Sequence, residues 1–199
     1  MTKWAPQKAD VLDALATEVL HNYGHGRVAV GIDGDDPEVS GAFALALAEA
    51  MRRAGRDAVV AHLADFRKPR AEREDPSIPE AQRAYLAGYD YELLRRVLLD
   101  PFKLGGSTGF VLAGYDGVRD EARQARWRTA GRDALLLVDG PFALRPELRG
   151  AWSTSIRLDT QEPPVDESYR ANTDPRRIAG ILVDVRDPEH PRRLFADSC

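Results

Sequence analysis

The sequence predicts a three-layer α/β domain with a parallel central sheet, and three observations carry that prediction. Strand-like runs at 27–32 and 58–63 bracket a single helical stretch, a strand–helix–strand unit whose two strands lie parallel. Residues 134–138 (Ala-Leu-Leu-Leu-Val) are apolar throughout, as a strand covered on both faces must be. The 199 residues, 43% hydrophobic and 30% charged, suit one domain (1–199) with a sizeable core rather than a disordered chain.

The elements follow in order. Val11, Leu12, Leu15, Val19 and Leu20 recur at helical spacing over 9–20, and Gly24-His25-Gly26 ends that helix, so 1–26 reads as an N-terminal helix and connector. Residues 27–32 (Arg-Val-Ala-Val-Gly-Ile) form a short buried strand, followed by the turn Asp33-Gly34-Asp35-Asp36-Pro37. A second helix runs over about 38–54 with Phe43, Leu45, Leu47 and Met51 among its apolar residues, and Gly55 stands where a C-terminal cap belongs. Residues 67–79, dense in charge and proline, cross the surface. A helix at 89–99 is closed by Asp100-Pro101, and glycines bracket a short strand at 110–113. Residues 153–158 and 178–183 supply two further strands, and no repeat, low-complexity tract or domain-sized linker divides the chain.

Composition narrows the function classes. No run of 18 apolar residues is present, so a membrane partner is not expected. The polar start, residues 1–10, has no charged-then-apolar leader, which makes the cytoplasm the expected location. The single cysteine, Cys199, can build neither a disulfide nor a cysteine metal site within one chain. His21, His25, His62 and His190 are scattered, and Gly24 and Gly26 interrupt the helix that would pair the first two. A net charge of −4 gives no electrostatic footprint for nucleic acid. The cations are mostly arginine, with lysine only at Lys3, Lys8, Lys68 and Lys103.

Seven motifs then occur in order over 27–192. They are Gly31-Ile32-Asp33-Gly34 with its alanine-rich helix ending at Arg53-Ala54-Gly55; Ala64-Asp65-Phe66-Arg67-Lys68-Pro69-Arg70; Tyr89-Asp90-Tyr91; Leu99-Asp100-Pro101; Leu136-Leu137-Val138-Asp139-Gly140; Arg145-Pro146-Glu147-Leu148-Arg149; and Asp184-Val185-Arg186-Asp187-Pro188. In that order the chain resembles the uridine-kinase-like branch of the P-loop nucleoside kinases. The resemblance implies a P-loop NTPase-like fold and transfer of phosphate from ATP, with Mg²⁺, to a nucleoside or similar alcohol.

A working phosphate loop reads G-x-x-x-x-G-K-[ST]: backbone amides wrap the phosphates, lysine reaches the outer ones and the hydroxyl binds Mg²⁺. Aligned on Gly34, the equivalent here is Gly34, Asp35, Asp36, Pro37, Glu38, Val39, Ser40 and Gly41. Val39 stands for the second glycine, Ser40 for the lysine and Gly41 for the hydroxyl residue, and no lysine lies between Lys8 and Lys68. Asp35, Asp36 and Glu38 lie where phosphate oxygens would approach. Like charges about 4 Å apart repel by roughly 1 kcal/mol in water and about 4 kcal/mol near an effective dielectric of 20. A helix N-terminus returns only about 0.3–1 kcal/mol to an anion. Two other readings of the turn stand beside this: Asp36 or Glu38 caps the helix, with Pro37 in its first turn, or the carboxylates hold a hard cation.

The resemblance implies three further parts. A carboxylate in an Asp-x-Phe setting ends the second strand and takes the acceptor's proton. Aligned on Phe66 that position is Ala64, and Asp65 takes over only if the strand has already ended; otherwise Asp65 solvates the strand end. Asp139 is the acid that helps organise Mg²⁺, or else half of an Asp-Gly turn. An arginine-bearing lid belongs in 160–175, where Pro163-Pro164 leaves little room for a helix. Arg67, Tyr89, Asp90, Tyr91 and Arg123 fall where relatives line the acceptor pocket; the other reading of them is packing and surface solvation. Ser153-Thr154-Ser155 reads as strand surface, because no histidine is paired with it.

The expectation is therefore a uridine-kinase-like protein with a degraded phosphate loop, deficient in ATP-dependent phosphotransfer, that binds a small molecule or regulates. It implies no cofactor by itself. ATP and Mg²⁺ belong to the first alternative, an atypical kinase with Asp65 as base and Arg67 or Arg123 as phosphate clamps. The second alternative is a different reaction on a metabolite in the inherited acceptor pocket.

Overall fold

The structure of the chain, a computed structural model, describes residues 7–160 and 166–195. It opens with α1 (Lys8–Asn22), β1 (Val28–Asp33), α2 (Pro37–Arg53) and β2 (Ala58–His62). A 3₁₀ turn, Leu63–Phe66, leads to α3 (Arg70–Arg73), α4 (Glu80–Ala87) and α5 (Tyr91–Leu94), which runs through one π turn, Arg95–Leu99, into α6 (Asp100–Leu104). Four short strands follow, β3 (Phe110–Val111), β4 (Tyr115–Asp116), β5 (Glu121–Ala122) and β6 (Trp127–Arg128). The chain ends with β7 (Leu135–Gly140), β8 (Thr154–Asp159), α7 (Glu167–Asn172), α8 (Pro175–Ile178), β9 (Ile181–Asp184) and β10 (Arg192–Leu194).

The central sheet has the order β10-β9-β8-β1-β7-β2, parallel except for the edge strand β10. β1 and β2 are parallel but not adjacent, because the later strand β7 enters between them. Its side chains explain why it reads as unbroken apolar sequence. Leu135 and Leu137 join the core under α1 and α2, while Leu136 and Val138 join the core on the opposite face, with Phe66, Leu98 and Phe102. Alternate residues of a strand face opposite ways, so a middle-layer strand needs apolar residues at every position. The sheet with helices on both faces is the expected three-layer architecture.

Three local expectations shift. The strand expected at 110–113 forms outside the central sheet, as a two-stranded ribbon of β3 with β6. The strand expected at 178–183 begins at Ile181, because Asp174 caps α8 first by accepting from Arg177 N. The helix expected at 89–99 starts only after Asp90, whose side chain caps α5, and widens into the π turn before Pro101. Proline has no N–H to return to the carbonyl of Val97, which loosens the ladder there.

Gly31 is fixed by packing. A Cβ there would lie 2.7 Å from the ring of Trp152, whose Nε1 donates to Ala143 O. No helix among the described residues is long and apolar enough to cross a membrane.

Candidate functional site

In an open parallel sheet, ligands sit beyond the carboxyl ends of the strands, where the strand order reverses. That edge carries an ionisable side chain at or next to the end of each parallel strand: Asp33 on β1, His62 on β2, Asp139 on β7, Asp159 on β8 and Asp184 on β9. Those on β8 and β9 are paired with arginine, Asp159 with Arg176 at 3.2 Å and Asp184 with Arg186 at 2.7 Å. The remaining three organise two clusters.

The first cluster surrounds the turn after β1. Only three residues, Gly34 to Asp36, separate β1 from α2. Asp36 is the N-cap of α2, its Oδ1 accepting from Glu38 N at 2.8 Å and Val39 N at 3.3 Å, and Pro37 opens the helix. The helix-terminal amides that an anion would use are thus held by the chain's own carboxylate. Asp35 turns the other way, to Arg157. Arg157 reaches from β8, is 1% exposed, and also donates from Nη1 to Asp33 Oδ2 at 2.7 Å. Tyr169 of α7 closes the cluster, its hydroxyl donating to Asp33 Oδ1 at 3.0 Å. Burial pushes the Asp33 carboxyl up, against the pull of Arg157 and Tyr169. It raises the Tyr169 hydroxyl as well.

α7 falls in the segment where little room for a lid helix was expected. It is six residues long and is docked, Tyr169 being fully buried. The Tyr169 ring packs on Phe142 at 5.1 Å and on Tyr85 of α4 at 5.8 Å. Of the segment expected as the lid, residues 161–165, including Pro163-Pro164, lie outside the described residues.

The second cluster lies between β2 and β7. His62 Nδ1 meets Asp139 Oδ1 at 2.5 Å, and Ser40 Oγ donates to the other oxygen, Oδ2, at 3.2 Å. Asp139 is nearly buried while His62 keeps about a third of its side chain exposed, so an acid fixed in the sheet holds an imidazole that opens outward. A carboxylate partner places the proton on Nδ1 and leaves Nε2 for exchange. The bond to Asp139 raises the His62 pKa; burial opposes it. Gly41 abuts the pair: a Cβ there would lie 3.5 Å from Asp139 Oδ2.

β2 has ended at His62, so Asp65 sits on the 3₁₀ turn with a partly exposed side chain, paired with Arg123 Nη2 at 3.4 Å. Burial raises its carboxyl, with Arg123 and His62 pulling down. Arg67 meets Tyr89 through an isolated β-bridge; burial raises the Tyr89 hydroxyl, with Arg67 pulling it down. Asp90 is occupied as the cap of α5, accepting from Leu93 N at 2.8 Å. Tyr91 lies under the guanidinium of Arg145, 4.3 Å from its ring centroid.

The turn after β1 is three residues long, Asp36 accepts from the first amides of α2, and Ser40, at the position aligned with the loop lysine, bonds Asp139. No group of three or more His, Cys, Asp or Glu side chains among the described residues is placed to hold a metal ion.

The six-stranded sheet and its flanking helices have the P-loop kinase-like fold. The chain is similar to a possible uridine kinase from Bacillus stearothermophilus, with 24% identity and a TM-score of 0.76 over 88% of this chain and 98% of that one. It is also similar to a protein provisionally assigned as a fructose transport system kinase from Silicibacter sp. TM1040, with 24% identity and a TM-score of 0.58 over 74% of each chain. No protein-family model and no curated protein matches it. The fold is uridine-kinase-like.

Sequence reasoning did not single out Arg157, Tyr169 or His62. A signal existed for the first: an arginine between Ile156 and Leu158 in a strand is a charge inside an apolar layer, which calls for a buried partner.

Proposed function

We propose that this protein keeps the uridine-kinase-like fold without ATP-dependent phosphotransfer, and that it acts as a small-molecule-binding or regulatory protein through the acceptor side of the cleft. The observation that carries the reading is Asp36: its carboxylate takes the amides of Glu38 and Val39, where a transferred phosphate would have to bind. Asp35 adds a second negative charge, and Arg157, the cation that could offset it, is spent on Asp35 and Asp33. The pairing of Arg123 with Asp65 weighs in the same direction, because each half of a clamp and base is engaged with the other.

Phosphotransfer is tested by incubating the protein with Mg·ATP and uridine and following nucleotide hydrolysis and uridine monophosphate by phosphorus NMR. The expected result is no product above the protein-free control. Product formation that is lost in Asp65→Asn would instead establish the atypical kinase.

The His62–Asp139 pair favours a second reading, in which the cleft performs a proton transfer on its ligand, with Nε2 of His62 as acceptor and Asp139 as the group that positions it. Once a ligand is in hand, loss of turnover in His62→Gln with binding retained would support this reading, and unchanged turnover would exclude it.

A further inference from the structure

Three arginines, Arg67, Arg73 and Arg83, line one cavity of about 340 Å³ together with Tyr89, Glu74 and Glu80. We infer that this cavity binds the anionic group, phosphate or carboxylate, of a small metabolite. The inference rests on the reading above that the acceptor side retains a ligand, and it adds the chemical class.

Several arginines elsewhere in the molecule are neutralised or saturated. Arg157 is held by two aspartates, Arg145 by both oxygens of Glu147, and Arg27 by four backbone carbonyls. Those around this cavity are not. Arg67 and Arg83 make no ion pair within 4 Å among the described residues, and Arg73 comes no closer than 3.9 Å to its carboxylate, Asp120. The two acids in the lining do not change this: Glu74 lies 3.9 Å from Arg70, outside the cavity, and Glu80 pairs with none of the three. Three guanidinium groups against two carboxylates leave the lining with one net positive charge, which a bound anion would offset while accepting forked, charge-assisted bonds.

The cations are also held in place. Arg73 Nε donates to Lys68 O at 2.9 Å and Arg83 Nε to Ile78 O at 3.0 Å, which anchors one edge of each fork and leaves the Nη groups uncommitted to those carbonyls. Lys68 N donates to Gly88 O, pinning the Arg67 segment against that of Tyr89. Arg67 and Tyr89 also meet through an isolated β-bridge, which fixes both on the cavity wall. The volume suits a small metabolite.

The test uses the full chain and follows thermal unfolding and calorimetry with inorganic phosphate, succinate, uridine and uridine monophosphate, each against chloride at equal ionic strength. The inference predicts a saturable rise in midpoint with phosphate or succinate but not chloride, and uridine monophosphate binding more tightly than uridine. Whichever of phosphate and succinate gives the stronger response assigns the group. Arg67→Gln and Arg83→Gln should each weaken anion binding by about tenfold, the loss of one charge-assisted bond. Their ligand-free unfolding midpoints report whether each variant is folded, and Arg119→Gln, on the exposed surface, should leave binding unchanged. No anion-specific rise, or equal affinity in folded Arg67→Gln and Arg83→Gln, would overturn the inference. Mg·ATP binding that survives both substitutions would overturn the closed-turn reading instead, and leave the anion cavity standing.

Discussion

At the residue scale, the decisive side chains are a cation and an imidazole, each defined by a buried carboxylate. Arg157 and Asp33 are both fully buried, so neither can lose its partner without leaving a charge in the interior. Arg157→Met should therefore destabilise the protein by about 3–5 kcal/mol. Combining it with Asp33→Asn should recover most of that loss, both read by urea denaturation. A single-variant loss well under 1 kcal/mol would contradict the buried-pair account. His62 makes a pH-dependent prediction. Its folded pKa is raised above the ordinary value of 6.5, so the protonated form is favoured by folding. That contribution is complete below about pH 6.5 and disappears as pH rises through the raised value. The urea midpoint of the parent should thus fall across that window relative to His62→Gln; parallel profiles would rule the contribution out. The dyad was hidden in the sequence because its halves lie 77 positions apart, and only the insertion of β7 beside β2 brings them together.

At the element scale, the junction of β1 and α2 is where the proposed loss of nucleotide binding rests. Asp36→Ala should lower stability by about 1 kcal/mol, the usual effect of losing an N-cap side chain, measured by urea denaturation. It should not create ATP binding, because the turn remains three residues long and Asp35 remains charged. Gly31→Ala, on the same strand, should be far more disruptive than an exposed glycine-to-alanine change, since its new methyl meets Trp152 at 2.7 Å; an unchanged melting midpoint would contradict this. Much of this junction was legible: the strand, the helix, the capping acid and the early proline each carry a local signal in residues 28–53. Arg157 as partner of the turn was not, because it arrives from β8 through strand pairing that no local pattern encodes. The ends of the middle helix escaped for a different reason, since the capping of α5 by Asp90 and the effect of Pro101 override the apolar periodicity of 89–99.

At the scale of the whole molecule, the strand–helix–strand opening and the apolar β7 were sufficient to predict a parallel three-layer architecture, because each reflects a constraint on any sheet covered on both faces. The cleft required the assembled edge. There Asp36, Asp35 and Arg157 fill the turn after β1, while Arg67, Arg73 and Arg83 line a separate cavity. α7 is docked through Tyr169 onto Asp33, Phe142 and Tyr85. Calorimetric titration of the full chain with Mg·ATP, repeated in Arg67→Gln, tests the central claim most directly. The account predicts no heat of binding at the turn, so any weak binding seen in the parent should fall about tenfold when Arg67 is replaced. Micromolar binding that persists in Arg67→Gln and is lost when bulk is introduced at Gly34 would contradict it.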